Sequence, residues 1–290
     1  MINQDHLLRN ETNDIQEGAE YSCRHNLDTG WITPSFHMHP HFEIYLFIRG
    51  KGQMIIEDES YDIHPMDLFI FPPGIIHRLM MFDPTEPYER AYFYVTRRML
   101  AELSEDRVDI LQMLDSAASL GHYSYHAESI GERFVQLIDE ILAEKDLSSP
   151  LSQTMNHCRI HMLSLLTCKT IQDKHVLSPR PPDRISDVIR YINDHIQEPL
   201  SLDSLAEQFY LSKYTLLHKF KSYTNISVHQ YILSKRLLQS EILMHRGMTP
   251  GDAAKQSGFN DYTGFYRAFV RSNSGLTPQE FYSRIRQGKS

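Results

Sequence analysis

The sequence predicts an α+β protein: a small β-barrel with flanking helices, joined to an all-α part that carries one helical unit twice. Three observations predict it. Residues 31 to 96 run in short β-branched and aromatic segments punctuated by turn residues. A helical hydrophobic period replaces this alternation after Met99. The C-terminal part then repeats itself.

With 290 residues the chain exceeds the usual size of a single core, so two domains are expected. A 41% hydrophobic and 23% charged composition excludes a disordered or fibrous chain. No apolar stretch approaches the roughly 20 residues that cross a bilayer, which argues against a membrane partner. The polar, acidic start from Met1 to Glu20 does not resemble a secretory signal. Cys23, Cys158 and Cys168 form neither an even set nor a Cys-x-x-Cys pair, which fits packing roles in a reducing cytosol and a cytoplasmic protein.

In the β-rich half, Glu43 to Ile48, Gln53 to Glu57 and Asp67 to Phe71 read as strands, with turns at Gly50, Gly52, Pro65, Pro72 to Gly74 and Pro84. Three helical patterns follow: Ile110, Leu111 and Leu114; then Phe134, Leu137, Ile138, Ile141 and Leu142; then Ile160, Leu163 and Leu166. These should pack on the barrel or on a second copy of it, and a homodimer joined through Phe134 to Leu166 is one expectation. Pro179, Pro181 and Pro182 stiffen a polar stretch. The expected organisation is an effector-sensing and dimerisation domain over 1–177, a linker over 178–183 and a helical domain over 184–290.

Charge changes sign at that break. The net of -8 divides into 14 Lys and Arg against 9 Asp and Glu after residue 183, and 15 against 28 before it. A basic module on an acidic one suits duplex DNA, because phosphate neutralisation supplies most non-specific affinity.

The segments Ser201 to Lys221 and Thr249 to Arg271 resemble each other. In each, a hydroxyl residue, Ser201 or Thr249, opens a short helix, and small Ala206 or Ala254 allows a close crossing. A turn follows, with Gly258 in the second copy, and Ser212 or Asp261 caps a longer helix. That is the pattern of a helix-turn-helix. Leu216 and Phe220, like Phe265 and Phe269, lie one turn apart and should face inward. The opposite stripes are Tyr214, Leu217, His218 and Lys221, and Tyr262, Thr263, Tyr266 and Arg267, to which base reading in the major groove is assigned. Lys213, Lys219, Lys235, Arg236 and Arg271 are assigned to phosphates. Val228 to Met244 reads as a long helix that spaces the two units.

Pro199-Leu-Ser-Leu, Lys235-Arg-Leu, Gly258-Phe-Asn-Asp, Phe265-Tyr-Arg-Ala-Phe and Gly275-Leu-Thr-Pro-Gln-Glu-Phe together resemble the AraC/XylS family of bacterial regulators. The resemblance implies a seven-helix domain with two helix-turn-helix units, used as a dimer on asymmetric DNA half-sites. RNA polymerase is a further partner that a promoter-bound regulator can meet. Asn225 departs from the family's usual glycine and calls for a positive φ; Val270 replaces a common lysine.

His37-Met-His39-Pro-His41-Phe-Glu43 and Pro72-Pro-Gly-Ile-Ile-His77 resemble the two motifs of the cupin barrel. By that resemblance His37, His39, Glu43 and His77 surround one divalent metal ion, Zn, Ni, Mn or Fe. Spacings of two and four put the first three on one strand face, and His41 shares it. Three readings stay open: a metal site, a polar pocket for a small effector such as a sugar, and plain structural use. Met66 and Met81 stand at a usual glycine and asparagine of the second motif, which weakens the metal reading. Trp31, Tyr45 and Phe69 offer stacking surface. The expected function is a ligand-responsive, DNA-binding transcription regulator; the alternative is a metal-dependent cupin enzyme with an accessory helical domain.

Overall fold

A computed structural model describes residues 15, 19–29, 36–83, 85–146, 148–181, 184–224, 226–273 and 275–286. They form two compact units that meet in sequence between Pro181 and Pro182. Trp31 and Asn225 lie outside the described residues.

The first unit contains strands β1 (Tyr21–Asp28), β2 (Phe42–Arg49), β3 (Gly52–Ile56), β4 (Glu59–Asp62), β5 (Asp67–Phe71), β6 (His77–Met81), β7 (Tyr88–Val95) and β8 (Ser124–His126). Its helices are α1 (Arg97–Leu103), α2 (Ile110–Ser119), α3 (Glu128–Leu142) and α4 (Pro150–Asp173). A five-stranded antiparallel sheet runs β1-β7-β2-β5-β8, and a three-stranded sheet runs β4-β3-β6. The hydrophobic segments read as β2, β3 and β5 are strands, whereas β1 and β8 fall outside the stretch that the sequence marked.

Because side chains alternate along a strand, β7 serves two compartments at once. Ala91, Phe93 and Val95 join Phe42, Ile44 and Leu46 of β2 in a core shared with the helices. Tyr88, Tyr92 and Tyr94 join Tyr45, Phe47, Phe69 and Phe71 on the other face, against Met54, Ile56, Leu79 and Met81 of the small sheet. The barrel interior is therefore aromatic and unusually rich in hydroxyl groups.

The helical stripe expected to meet either the barrel or a second copy meets the barrel. Phe134, Leu137, Ile138, Ile141, Ile160 and Leu163 are buried in the core of their own unit, and Leu166 packs against it. A dimer through those six residues is thus corrected, because they are spent on their own core; in the same stretch Leu142, Leu151, Met155 and Met162 stay exposed. Met66, placed where a glycine was expected, takes a left-handed φ of 69°. Its side chain fills the space above Gly131, where an added Cβ would lie 2.4 Å from the Met66 sulfur.

The chain after α4 stays on this unit. Leu177 N–H donates to Ser124 O at 3.0 Å and Arg180 N–H to Ser60 O at 2.7 Å. The Arg180 guanidinium forks onto Asp62 with bonds of 2.8 and 2.6 Å.

The second unit holds α5 (Arg184–Asp194), α6 (Leu202–Gln208), α7 (Lys213–Thr224), α8 (Val228–His245), α9 (Pro250–Gln256), α10 (Tyr262–Ser272) and α11 (Pro278–Arg286). The four capping residues act as caps. Ser201 accepts from Ser204 N–H, Thr249 from Asp252 N–H, Asp261 from Gly264 N–H, and Ser212 from Thr215 N–H. Each cap satisfies an amide that the first turn of a helix leaves open, worth about 1 kcal/mol.

Candidate nucleic-acid interface and sensing pocket

Helices α7 and α10 each turn one apolar pair fully inward. Leu216, Phe220, Phe265 and Phe269 are 0% exposed. The opposite stripes are open to solvent: Tyr214 is 78% exposed, Leu217 43%, Tyr262 46% and Tyr266 41%. His218, Lys221, Thr263, Arg267 and Arg271 are exposed as well. Tyr214 and His218 stack one turn apart, with ring centroids at 6.2 Å. Every residue named for DNA contact on these two helices is therefore free to meet a ligand surface.

The phosphate assignments divide differently. Lys213 Nζ lies 2.7 Å from Asp203 Oδ1, an exposed pair that a phosphate can break. Arg236 is turned inward: its guanidinium donates to Ile196 O at 2.9 Å and Glu198 O at 2.7 Å. The phosphate role assigned to Arg236 is corrected on that ground.

The turns also match. Tyr210 and Gly258 occupy corresponding places after α6 and α9, with φ of 53° and 88°. Tyr210 is 93% exposed beside the first reading helix and was missed in the sequence, because a tyrosine does not announce a left-handed turn.

In the barrel, Glu43 on β2 and His77 on β6 face one another across the sheets, and His37 and His39 approach from the irregular segment before β2. Ligand atoms of His37, Glu43 and His77 lie within 4.8 Å of one another. His39 Nε2 is 2.8 Å and His77 Nε2 is 3.2 Å from the same Glu43 oxygen. The rings of His37 and His77 are 4.3 Å apart, and Phe71 stacks flat on His77 at 3.8 Å. The structure thus gathers all four residues that the two motifs pointed to. His41 contributes its carbonyl, which accepts from His39 Nδ1 at 2.9 Å.

Burial alone would raise the Glu43 pKa, but the adjoining His39 and His77 rings hold it well below the usual carboxylate range. Burial pushes the His77 pKa down, against its charged form. The inner side of β7 adds Tyr88, whose hydroxyl is bonded to that of Tyr45, and Arg90, whose guanidinium lies 4.3 Å above the Tyr88 ring and pairs with Asp28. Burial pushes Tyr92 up to about 12. The sequence reading missed these β7 groups, although the alternation from Tyr88 to Val95 carried the signal.

Two capped helix-turn-helix units with open aromatic and cationic stripes, preceded by a barrel with convergent polar groups, define a DNA-binding transcription regulator with a ligand-binding domain. Comparisons agree. The model of the AraC-like ligand binding domain matches residues 21–155, and that of the helix-turn-helix domain matches residues 205–287. The chain is 27% identical over 228 residues to the HTH-type transcriptional regulator YbfI of Bacillus subtilis, covering 78% of each chain. It is 26% identical over 239 residues to the arabinose operon regulatory protein of Salmonella typhimurium, covering 81% of each. Among solved structures, ToxT from Vibrio cholerae aligns at 13% identity and a TM-score of 0.37, over 91% of this chain and 98% of that one. The chain belongs to the AraC/XylS family. Its relatives are transcription regulators, and the enzyme alternative falls with that finding. Among the described residues, no helix is long and apolar enough to cross a membrane.

Proposed function

We propose that α7 and α10 read two successive major grooves of promoter DNA, under the control of a small sugar-like effector held in the barrel. The observation that carries the DNA part is the two-sidedness of both helices: in each, an exposed stripe of aromatic and cationic residues lies opposite two fully buried apolar residues. Tyr214, Leu217, His218 and Lys221, with Tyr262, Thr263, Tyr266 and Arg267, contact bases, and Arg271 contacts phosphate.

The effector part is supported by Tyr45, Tyr88, Tyr92, Tyr94 and Arg90 beside the His and Glu cluster. Flat rings with bridging hydroxyls and charges suit a polyhydroxylated ligand. The relatives named as arabinose operon regulators point the same way. Effector binding acts by favouring one of two arrangements of the protein, each with its own affinity for the promoter. A homodimer would bury the exposed Leu151 and Met162 of α4. The deciding experiment is a gel-shift titration on duplexes selected from a random library, with and without a panel of monosaccharides. Enrichment of one sequence, with affinity altered by one sugar, is the expected result. Equal affinity for all duplexes would overturn the DNA reading, and insensitivity to every sugar the effector reading.

One observation favours a second reading of the cluster, a divalent metal ion. His39 Nδ1 faces the His41 carbonyl and His77 Nδ1 faces the Ile75 carbonyl at 3.0 Å, so both Nδ1 atoms must carry hydrogen. His39 Nε2 donates to the Glu43 carboxylate at 2.8 Å, whereas His77 Nε2, its ring already donating through Nδ1, makes no hydrogen bond. A buried carboxylate beside an imidazole nitrogen with no hydrogen bond suits a cation, and a histidine that donates Nδ1–H to a carbonyl is arranged as metal ligands are. His37, Glu43 and His77 would hold such an ion, with His39 bonded to the Glu43 carboxylate beside them, and the ion would supply a Lewis-acidic anchor for effector oxygens. Zinc titration followed by calorimetry tests this: binding lost in Glu43→Gln is expected, and equal heats for both proteins would exclude it.

A further inference from the structure

Among the described residues, helix α8 is the element that runs between the two helix-turn-helix units, and its two halves serve different ones. Near its start, Tyr231 packs edge-on against Phe220 of α7 and donates to Asn193 Oδ1 of α5 at 3.1 Å. Near its end, Leu237, Leu243 and Met244 share a core with Ala253 and Ala254 of α9 and Phe265 and Phe269 of α10. Apolar packing of this kind fixes distance well and rotation poorly, since it has no direction.

Arg236 stands between the halves. Its bonds to Ile196 O and Glu198 O grip the chain that leaves α5 and enters the first unit. The turn of the second unit presses on the same spot. A Cβ on Gly258 would lie 2.7 Å from Ile196 O, 2.9 Å from Gln197 Cα and 3.0 Å from Arg236 Nε. Three segments, one from each unit and one from the helix between them, thus meet around one guanidinium. Its planar fork gives the junction the directional bonds that the apolar contacts lack.

We propose that Arg236 is a positioning residue that sets the angle between the two reading helices, and hence the DNA spacing the protein accepts. The proposal rests on the reading that α7 and α10 enter neighbouring grooves. Two contact surfaces on one duplex reinforce each other only if their joint holds the second in place while the first is bound. Freed of Arg236, the joint turns, and a bipartite site loses affinity while tolerance for wrong spacing rises.

The experiment uses the full chain and a bipartite duplex that it selects from a random library. Two further duplexes carry the same halves with one base pair added or removed between them. The wild-type protein is expected to bind these roughly tenfold or more weakly than the selected site. Arg236→Gln is expected to lose roughly tenfold on the selected site and to bind all three duplexes nearly alike. Its salt dependence stays that of the wild type, because no phosphate contact is removed. Gly258→Ala reaches the junction from the other side and should relax the spacing preference in the same way. It carries the test if Arg236→Gln does not fold, as judged by its denaturant transition. A variant that keeps the full spacing preference overturns the proposal, as does a loss shared by all duplexes with a salt slope lowered by about one phosphate. Should the wild-type chain select no bipartite sequence, both the proposal and the groove reading fall; unchanged spacing preference on a selected site overturns the proposal alone.

Discussion

His25 Nδ1 lies 2.7 Å from Asp139 Oδ1 while Nε2 of the same ring lies 3.2 Å from Glu89 Oε1, so one imidazole joins strands β1 and β7 to helix α3. Burial disfavours the charged ring, but the two carboxylates prevail and raise its pKa above the ordinary 6.5. A raised folded-state value makes the bridge stabilising below about 6.5, and that contribution is lost as pH rises through the folded value. The urea midpoint is therefore expected to fall between about pH 6 and about pH 9, with a smaller fall in His25→Leu. Equal falls in both proteins would remove His25 from the account.

Arg267 is exposed on the outer face of α10, among the residues assigned to bases. Arg267→Ala should weaken binding to a selected duplex by about 1 to 3 kcal/mol more than binding to random duplex, if the guanidinium reads a guanine. Equal losses in a gel shift would show a phosphate contact instead.

Tyr210 holds a left-handed φ of 53° with 93% of its side chain in solvent, so glycine loses almost no packing there. The left-handed form costs a non-glycine residue roughly 1 to 2 kcal/mol, and glycine's greater freedom when unfolded returns about half of that. Tyr210→Gly is expected to raise stability by about 0.5 to 1 kcal/mol in urea unfolding, and Tyr210→Ala to leave it nearly level. A destabilised glycine variant would show that the ring holds the turn.

Burial pushes the Cys23 and Cys168 thiols up to about 12, whereas Cys158 is exposed on α4. A disulfide reagent should label one thiol rapidly in the folded protein and the other two only on unfolding. Cys158→Ser should abolish the rapid phase, and its persistence would place an open thiol elsewhere.

Local physics explains what was legible in the sequence. Ser201, Ser212, Thr249 and Asp261 were readable as caps because a cap depends on a few neighbouring residues. Glu43 and the histidines were readable from the order of the two motifs; the shared strand face expected of His37, His39 and Glu43 is not found, because β2 begins only at Phe42. β1 was missed because its residues are mostly polar and half-buried, and β8 because three residues carry no period. Tyr210 was missed because left-handed backbone is signalled by glycine, and Arg236 because a basic residue beside DNA-reading helices looks like a phosphate ligand until its carbonyl partners are seen. The inward turn of the Phe134 to Leu163 stripe is a tertiary choice between two apolar partners, which a hydrophobic period alone does not make.

The alternation in β7 bears on how such a protein can diversify. Even-numbered positions from Tyr88 to Tyr94 look into the barrel interior, and odd-numbered ones from Ala91 to Val95 into the helical core. If the effector sits where we propose, point substitutions at the even set retune which small molecule is recognised while the scaffold is left alone. An inserted or deleted codon would exchange the two sets and ruin both at once. New specificities in this lineage should therefore arise through replacement along this ribbon and hardly ever through a change in its length.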